Sequence, residues 1–402
     1  RLIERYRSGG ISRRDFLRST GLVTSGLLAP RFLHGMVGAL PLGGRKLVVV
    51  QLTGGNDGLN TIVPLQNDDY HRLRPKLALA PGVALPVSDG LGLNPGMEAI
   101  RRLFDDGRVC VINGVGYPDP DHSHFRSMDI WQTASNSSEY LDTGWLGRYL
   151  DARSIAPHDV VEFGGTLSLA NKGQRMKAIT LTDPARFFQA TREPWFAQLA
   201  SVRHEEEHRE LGLLYRTMVE TYRSAGYIHE HLRPRTTGIT YPKGDLARQL
   251  QHVSAFIQSG MDTSVYYTST GGFDTHVNQL VKHQKLWTGV SDGIAAFLND
   301  LRTAGLGKEV LVMVFSEFGR RAKENASNGT DHGTAGPVLL FGEGLRKPGF
   351  FNPVPSLSRL DDNGDLVFST DFRRIYATLL KDWLDTDPAA VIGGRFEKIP
   401  VL

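Results

Sequence analysis

Five short apolar runs recur along the chain, each closed by glycine or by small polar residues. Lys46 to Leu52 (KLVVVQL) is apolar at consecutive rather than alternate positions and ends at Gly54 and Gly55. That pattern predicts a strand buried on both faces of a parallel sheet. Val109 to Asn113, Val265 to Thr268, Val310 to Phe315 and Val338 to Phe341 repeat it. Helical patterns lie between them: Pro95 to Phe104, with proline near a helix start, Thr275 to Leu301, running out near Gly305, and Phe372 to Leu384. Alternating buried strands and helices predict an α/β fold, a doubly wound and mainly parallel sheet with helices on both faces. In such folds the chemistry gathers at the carboxyl ends of the strands. The charged, helix-rich stretch from Pro184 to Leu232 breaks the rhythm and reads as a helical insertion or cap, bounded at about 184–260. The Pro/Asp-rich stretch from Phe350 to Asp365 reads as a surface loop.

The amino-terminal segment differs from everything after it. Ser12 to Arg18 reads SRRDFLR and is followed by an apolar, glycine-rich stretch from Gly21 to Ala29 and small residues as far as Ala39. This order is that of a twin-arginine export signal, with Val37, Gly38 and Ala39 as a small-residue cleavage point. Its apolar core is too short and too interrupted to remain as a membrane span. The expected organisation is therefore a signal over 1–39 and a single α/β domain over 40–402, acting in the periplasm or outside the cell. The whole chain carries a formal charge of +3, but residues 1–39 hold seven arginines and two acids, so the remainder carries −2. The basic balance thus belongs to the signal, and nothing in the charge argues for a nucleic-acid partner. A single cysteine among 402 residues excludes an intrachain disulfide and a thiolate metal cage.

The candidate chemistry sits just after the predicted strands. LTGGNDGLN places Asp57 in a glycine-rich turn, where it either faces a cleft or merely builds the turn. A dinucleotide loop is not supported, because the GxGxxG spacing is absent. DPDHSHFRSMDIWQTA brings Asp121, His122, Ser123, His124 and Arg126 before a helix; Ser123 is there either a nucleophile or a helix cap. GGFDTH supplies Asp274, which would also cap the following helix, and His276. VMVFSEFGR puts Glu317 at a strand end, and GTDHGTAGPVLLFG sets Asp331 and His332 before another strand. Carboxylates and imidazoles in such places form the donor set of zinc, manganese and related divalent ions. A competing local pattern, His204-Glu205-Glu206-Glu207-His208, satisfies the H-E-x-x-H signature of zinc proteases, with His229 or Glu230 as a third donor. It lies in a run of charges that reads as a solvated helix face.

Taken in order, LTGGNDGLNTIVP, SHFRSMDIWQTA, GWLGRYLD, GGFDTH, VFSEFGR and TDHGTAGPVLLFG resemble the exported bacterial family known as domain of unknown function 1501, which is related to the alkaline phosphatase and sulfatase superfamily. The resemblance runs from Lys46 to Leu384 and includes the twin-arginine signal; the last motif is also similar to the late-histidine segment of the superfamily's phosphate mutases. It implies an alkaline-phosphatase-like fold and one or two divalent ions, zinc, manganese, magnesium or calcium. Asp57 and Glu317 would hold one, and Asp274, His276 and His332 the other. It also implies a nucleophile among His122, Ser123 and His124, with Ser123 in the matching place; Arg126, one helical turn beyond Ser123, is placed to pair with an anionic ester. Two departures stand out. Asp274 and His276 are two residues apart where the superfamily spaces them by four, and Glu317-Phe318 replaces an Asp-His pair.

The function this predicts is an exported metal-dependent hydrolase of phosphate or sulfate esters, carbohydrate-linked ones included, delivered by the twin-arginine machinery. The alternative from another class is a non-catalytic exported binding or assembly protein on the same fold. A zinc protease built on His204 and His208 ranks behind both.

Overall fold

The computed structural model describes residues 44–88, 90–153, 156–194, 196, 209–233 and 236–402. The export signal and the His204–His208 pattern lie outside the described residues. Nine strands form the main sheet: β1 (Lys46–Leu52), β5 (Val109–Gly116), β6 (Val160–Phe163), β7 (Ile179–Leu181), β8 (Val265–Thr270), β9 (Val310–Ser316), β10 (Gly336–Phe341), β11 (Gly349–Phe350) and β12 (Thr370–Asp371). Their order is β11-β5-β10-β9-β1-β8-β6-β7, with β12 also pairing β5. The remaining three, β2 (Ile62–Pro64), β3 (Leu85–Ser88) and β4 (Leu91–Leu93), make a small antiparallel sheet.

The five predicted runs are all strands, and the sheet is mainly parallel as expected. Side chains of β1 alternate between two cores: Leu47 and Val49 pack with Trp131, Trp145 and Tyr376, while Val48 and Val50 pack with Phe256, Trp287 and Phe297. Both faces are therefore dry, which is why the strand is apolar throughout. Each such valine contributes about 1.5–3 kcal/mol relative to exposure. The two short strands β6 and β7 escape a pattern reading because they are only four and three residues long. Helices occupy the predicted insertion at Pro184–Thr191, Arg209–His231 and Asp245–Gln258, and the last of these packs on β8 and on the long helix Gln279–Thr303. No helix among the described residues is long and apolar enough to cross a membrane.

One strand decides where the chemistry can gather. β10 runs antiparallel to both β5 and β9, whereas β1 runs parallel to β8 and β9. The amino end of β10 consequently lies on the same edge as the carboxyl ends of β1, β5, β8 and β9. A histidine just before β10 thus meets side chains that come just after the other four. The stretch 350–365 is only partly a surface loop, since Phe350 pairs in β11 and Asp365 is fully buried.

Below this edge the Asn56 turn is pinned by the long helix. Fully buried His283 faces Asn56 Oδ1 through Nε2 at 2.9 Å and Asn94 Nδ2 through Nδ1 at 3.3 Å, and Trp287 Nε1 donates to Asn56 Oδ1 at 3.2 Å. Burial, with Arg74 and Arg320 nearby, pushes the His283 pKa down to about 4 although Asp57 opposes it. A folded-state value below the ordinary one means that this ring contributes stability above pH 6.5 and loses it as the pH falls toward 4. The expected loss between pH 7 and pH 4 is about 3 kcal/mol. Urea denaturation at the two pH values checks this: the slope should shrink by that amount in His283→Gln, and an unchanged slope would refute the assignment.

Candidate metal centre at the carboxyl edge

Three imidazoles reach the edge from three elements. His124 is the first residue of the helix His124–Thr133 after β5, His276 follows β8, and His332 precedes β10. All three turn Nε2 toward Asp274 Oδ1, at 3.5 Å from His124, 2.9 Å from His276 and 3.3 Å from His332. His276 Nε2 and His332 Nε2 are themselves 3.0 Å apart. Among the described residues His124, Asp274 and His332 form a group whose ligand atoms lie within 4.8 Å of one another.

The far side of each ring is held by a group that can only accept. His124 Nδ1 meets Glu317 Oε1 at 2.8 Å, His276 Nδ1 meets Asp331 Oδ1 at 3.1 Å, and His332 Nδ1 meets the carbonyl of His122 at 2.7 Å. Acceptor-only partners assign the proton to Nδ1 in the neutral rings, so the Nε2 lone pairs point inward. Two lone pairs facing each other at 3.0 Å repel unless a cation or proton lies between them. His124 Nε2 is buried and has no hydrogen-bond partner. Metal-binding histidines characteristically carry this backing of carboxylates and carbonyls on the other nitrogen. Four donors around a zinc ion stand about 3.3 Å apart when each is about 2.0–2.1 Å from it. Four of the six pairs among these donors, spaced 2.9–3.5 Å, match that frame, and His276 stands outside the converging group of His124, Asp274 and His332.

Glycines let the loops converge. Gly54 has φ +116° and a Cβ there would stand 2.3 Å from the Asp274 nitrogen; Gly55 has φ +69° and its Cβ would stand 2.2 Å from Phe318 Cε2. The GG of the first motif is therefore demanded by close approach as well as by the left-handed backbone. Phe318, 3% exposed, packs against the rings of His124 and His332 with centroids 4.8 and 4.9 Å away. Fully buried Arg320 donates to the carbonyls of Gly55 at 2.6 Å, Thr330 at 2.8 Å and Phe273 at 3.1 Å, to that of Gly54, and to Asp274 Oδ1 at 2.6 Å. Burial would raise the Asp274 pKa, but this guanidinium outweighs it and holds the carboxyl at about 2.

The other sequence-derived candidates fall in different places. Asp57 does not join the cluster: it is fully buried, pairs with Arg74 Nη1 at 2.7 Å, and receives Gln279 Nε2. Burial pushes its pKa up, but Arg74 and Gln279 more than offset that and hold it below the usual carboxylate range. Its role here is to close a polar network under the site, through Gln279 to Thr275 and Thr330. Glu317 is fully buried and backs His124, also accepting from Gly54 N at 2.8 Å, so it faces the imidazole's far nitrogen rather than the cluster interior. Asp274 does not cap a helix; Asn278 stands at the N-cap of Gln279–Thr303. Ser123 stands at the N-cap of its helix but makes no capping bond with its side chain, and it is exposed. Arg126 Nη2 donates to the carbonyls of Asn136, Ser137 and Glu139 at 3.1, 2.9 and 2.6 Å, and its guanidinium lies over Tyr140. His122 meets Asp365 Oδ2 at 3.0 Å through its ring while its carbonyl holds His332. His229, the possible third protease donor, stacks on Phe188 at 3.6 Å. The sequence reading takes His124 as a catalytic group; the structure sets it beside Asp274 and His332, and it gives Asp331 and Arg320, which that reading leaves without a role, contacts to the cluster.

Fold and site together define an α/β protein with an imidazole–carboxylate centre at the carboxyl edge of its sheet. The model of the family described as protein of unknown function (DUF1501) matches residues 113–359, and the chain belongs to that family. No curated protein matches it. Among solved structures, the lipoteichoic acid synthase LtaP from Listeria monocytogenes is similar at 10% identity and TM-score 0.37, over 77% of this chain and 68% of that one. The C-terminal periplasmic domain of EcEptC from Escherichia coli, in complex with Zn, is similar at 9% identity and TM-score 0.35, over 75% and 74%. The PsFucS1 sulfatase from Pseudoalteromonas sp. is similar at 9% identity and TM-score 0.37, over 81% and 67%. At these scores the likeness carries no inference about activity.

Replacing Asp57 by alanine would leave the Arg74 guanidinium buried without its counter-charge, at a cost of roughly 3–5 kcal/mol. Urea melts should register that loss, while metal analysis of the folded fraction should find the ion content unchanged. Metal lost without a loss of stability would return Asp57 to the set of ligands.

Proposed function

We propose that this protein is an exported metal-dependent hydrolase of phosphate or sulfate esters on an alkaline-phosphatase-like fold, with His124, Asp274, His276 and His332 as the donors to a divalent ion. The observation that carries the metal part of this reading is the inward turn of three Nε2 atoms on one carboxylate oxygen, each ring backed at Nδ1 by an acceptor. The ester part rests on the resemblance of the motifs to the phosphatase and sulfatase superfamily. A divalent ion bound there supplies a Lewis acid for an ester oxygen and for the charge that develops on it.

The chain's own groups complete the reaction. Ser123 directly precedes His124, is an exposed residue whose side chain is not used as a cap, and stands at the N-cap of a ten-residue helix whose amino end favours an anionic group. Ser123 Oγ forms a bond to phosphorus or sulfur as the bond to the leaving oxygen breaks; the hydroxyl proton ends on the departing alcohol, and water then releases the acid and regenerates the serine. Arg320 keeps a permanent positive charge beside Asp274. Glu317 and Asp331 orient two of the imidazoles. The exposed side of the centre, where Asp274 and His276 meet solvent, is the side from which a substrate would enter.

The test is the purified chain reconstituted with zinc or manganese and assayed against aryl phosphates and aryl sulfates. Ser123→Ala should remove turnover while leaving the bound metal in place. An ester that binds without turnover in the unaltered protein would favour the binding-protein reading instead. Asp331→Asn should weaken metal affinity about 10- to 100-fold, as loss of a backing carboxylate does, read by competition with a chelating dye. An unchanged affinity would exclude His276 from the donors.

A further inference from the structure

We infer that the centre takes one divalent ion per chain, and that Phe318 and Arg320 are the residues that close it to a second. The inference rests on the metal reading proposed above and extends it from which residues bind to how many ions they accept. Two-ion sites need a second set of donors about 3.5–4 Å from the first, and the buried carboxylates of this edge are already held by protein partners. Asp57 is held by Arg74 and Gln279, Glu317 by the His124 ring and Gly54 N, and Asp365 by His122 and Arg321. Asp331 Oδ1 is shared between His276 Nδ1 and Asn325 Nδ2. Among the described residues His124, Asp274 and His332 are the one group of three or more such side chains with converging ligand atoms.

The two walls of the centre work by different physics. Phe318, itself buried, covers the faces of the His124 and His332 rings with a side chain that offers no lone pair. Its ring occupies the space that a side chain at Gly55 would need. Arg320 Nη2 lies 2.6 Å from the same Asp274 oxygen that the imidazoles face. Its remaining donors are tied to carbonyls of Gly54, Gly55, Phe273 and Thr330, so it cannot swing aside to admit a cation. A guanidinium does not lose its proton in a protein, and in a buried setting its repulsion of a neighbouring cation is little screened. Arg320 therefore stands where a second ion would have to be and supplies a fixed positive charge in its stead.

The experiment is metal stoichiometry on the full chain. Protein stripped with a chelator is titrated with Zn(II) in a calorimeter, and the product of equilibrium dialysis is measured by plasma mass spectrometry. One equivalent is expected, falling at least tenfold in His124→Ala and in His332→Ala, with circular dichroism confirming that both remain folded. Two equivalents in the unaltered chain would overturn the inference and leave the hydrolase reading standing; no bound zinc would overturn both. A full equivalent retained in either histidine variant would place the ion elsewhere and also overturn it. Phe318→His, which adds a donor to that wall while Arg320 stays in place, should still take up one equivalent, and a second equivalent would overturn the part given to Arg320.

Discussion

A single buried guanidinium holds the functional edge together. Arg320 bonds carbonyls from the loop after β1, the loop after β8 and the segment before β10, and it meets the Asp274 carboxylate. A charge taken wholly out of water is tolerable only when its donors are satisfied and a counter-charge is at hand. The three segments must therefore converge if Arg320 is to be buried at all, and their convergence is what brings Asp274, His276 and His332 within reach of one another. The backbone carbonyls are as necessary as the carboxylate, because four of the five hydrogen bonds that the buried guanidinium makes go to them.

Around that charge the structure separates two kinds of polar group. Beneath the centre, Asp57, Arg74, Gln279, His283, Asn56 and Thr330 form a closed network in which the groups are paired and dry. Such groups stabilise the turn and are costly to break, and they have no capacity left for a ligand. At the rim, Asp274 and His276 are open to solvent and the Nε2 of His124 is unmatched. Unspent bonding capacity in a polar cluster marks a place where something binds, whereas saturation marks a place that serves the fold. Asp57 is adjacent to the site in sequence motif but belongs to the saturated network.

Much of the fold was legible in the chain's pattern. The consecutive apolar residues of Lys46–Leu52 and Val310–Phe315 can be satisfied only by a sheet covered on both faces, and the alternating helices supply that cover. Asp274, His276 and His332 were legible as candidate donors because a carboxylate or imidazole beside a strand end and a glycine has few other uses. What the pattern could not show was direction. No local feature of GPVLLF says that β10 runs opposite to its neighbours, since burial on both faces looks the same in either sense, yet only that reversal carries His332 to the edge where the others end.

Residue types and local turn chemistry by themselves thus determined a doubly wound sheet, a glycine-lined edge and a stock of carboxylates and imidazoles along it. Tertiary structure decided which of that stock is free. Whether Asp57 meets an ion or Arg74, whether Arg126 meets a substrate or the carbonyls of residues 136–139, and whether Glu317 binds directly or through His124 all depend on partners 10 to more than 190 positions away. The reason is that a charged side chain pairs with whatever the fold brings into hydrogen-bond range once water is excluded, and that choice is made by packing across the sheet rather than by sequence neighbours.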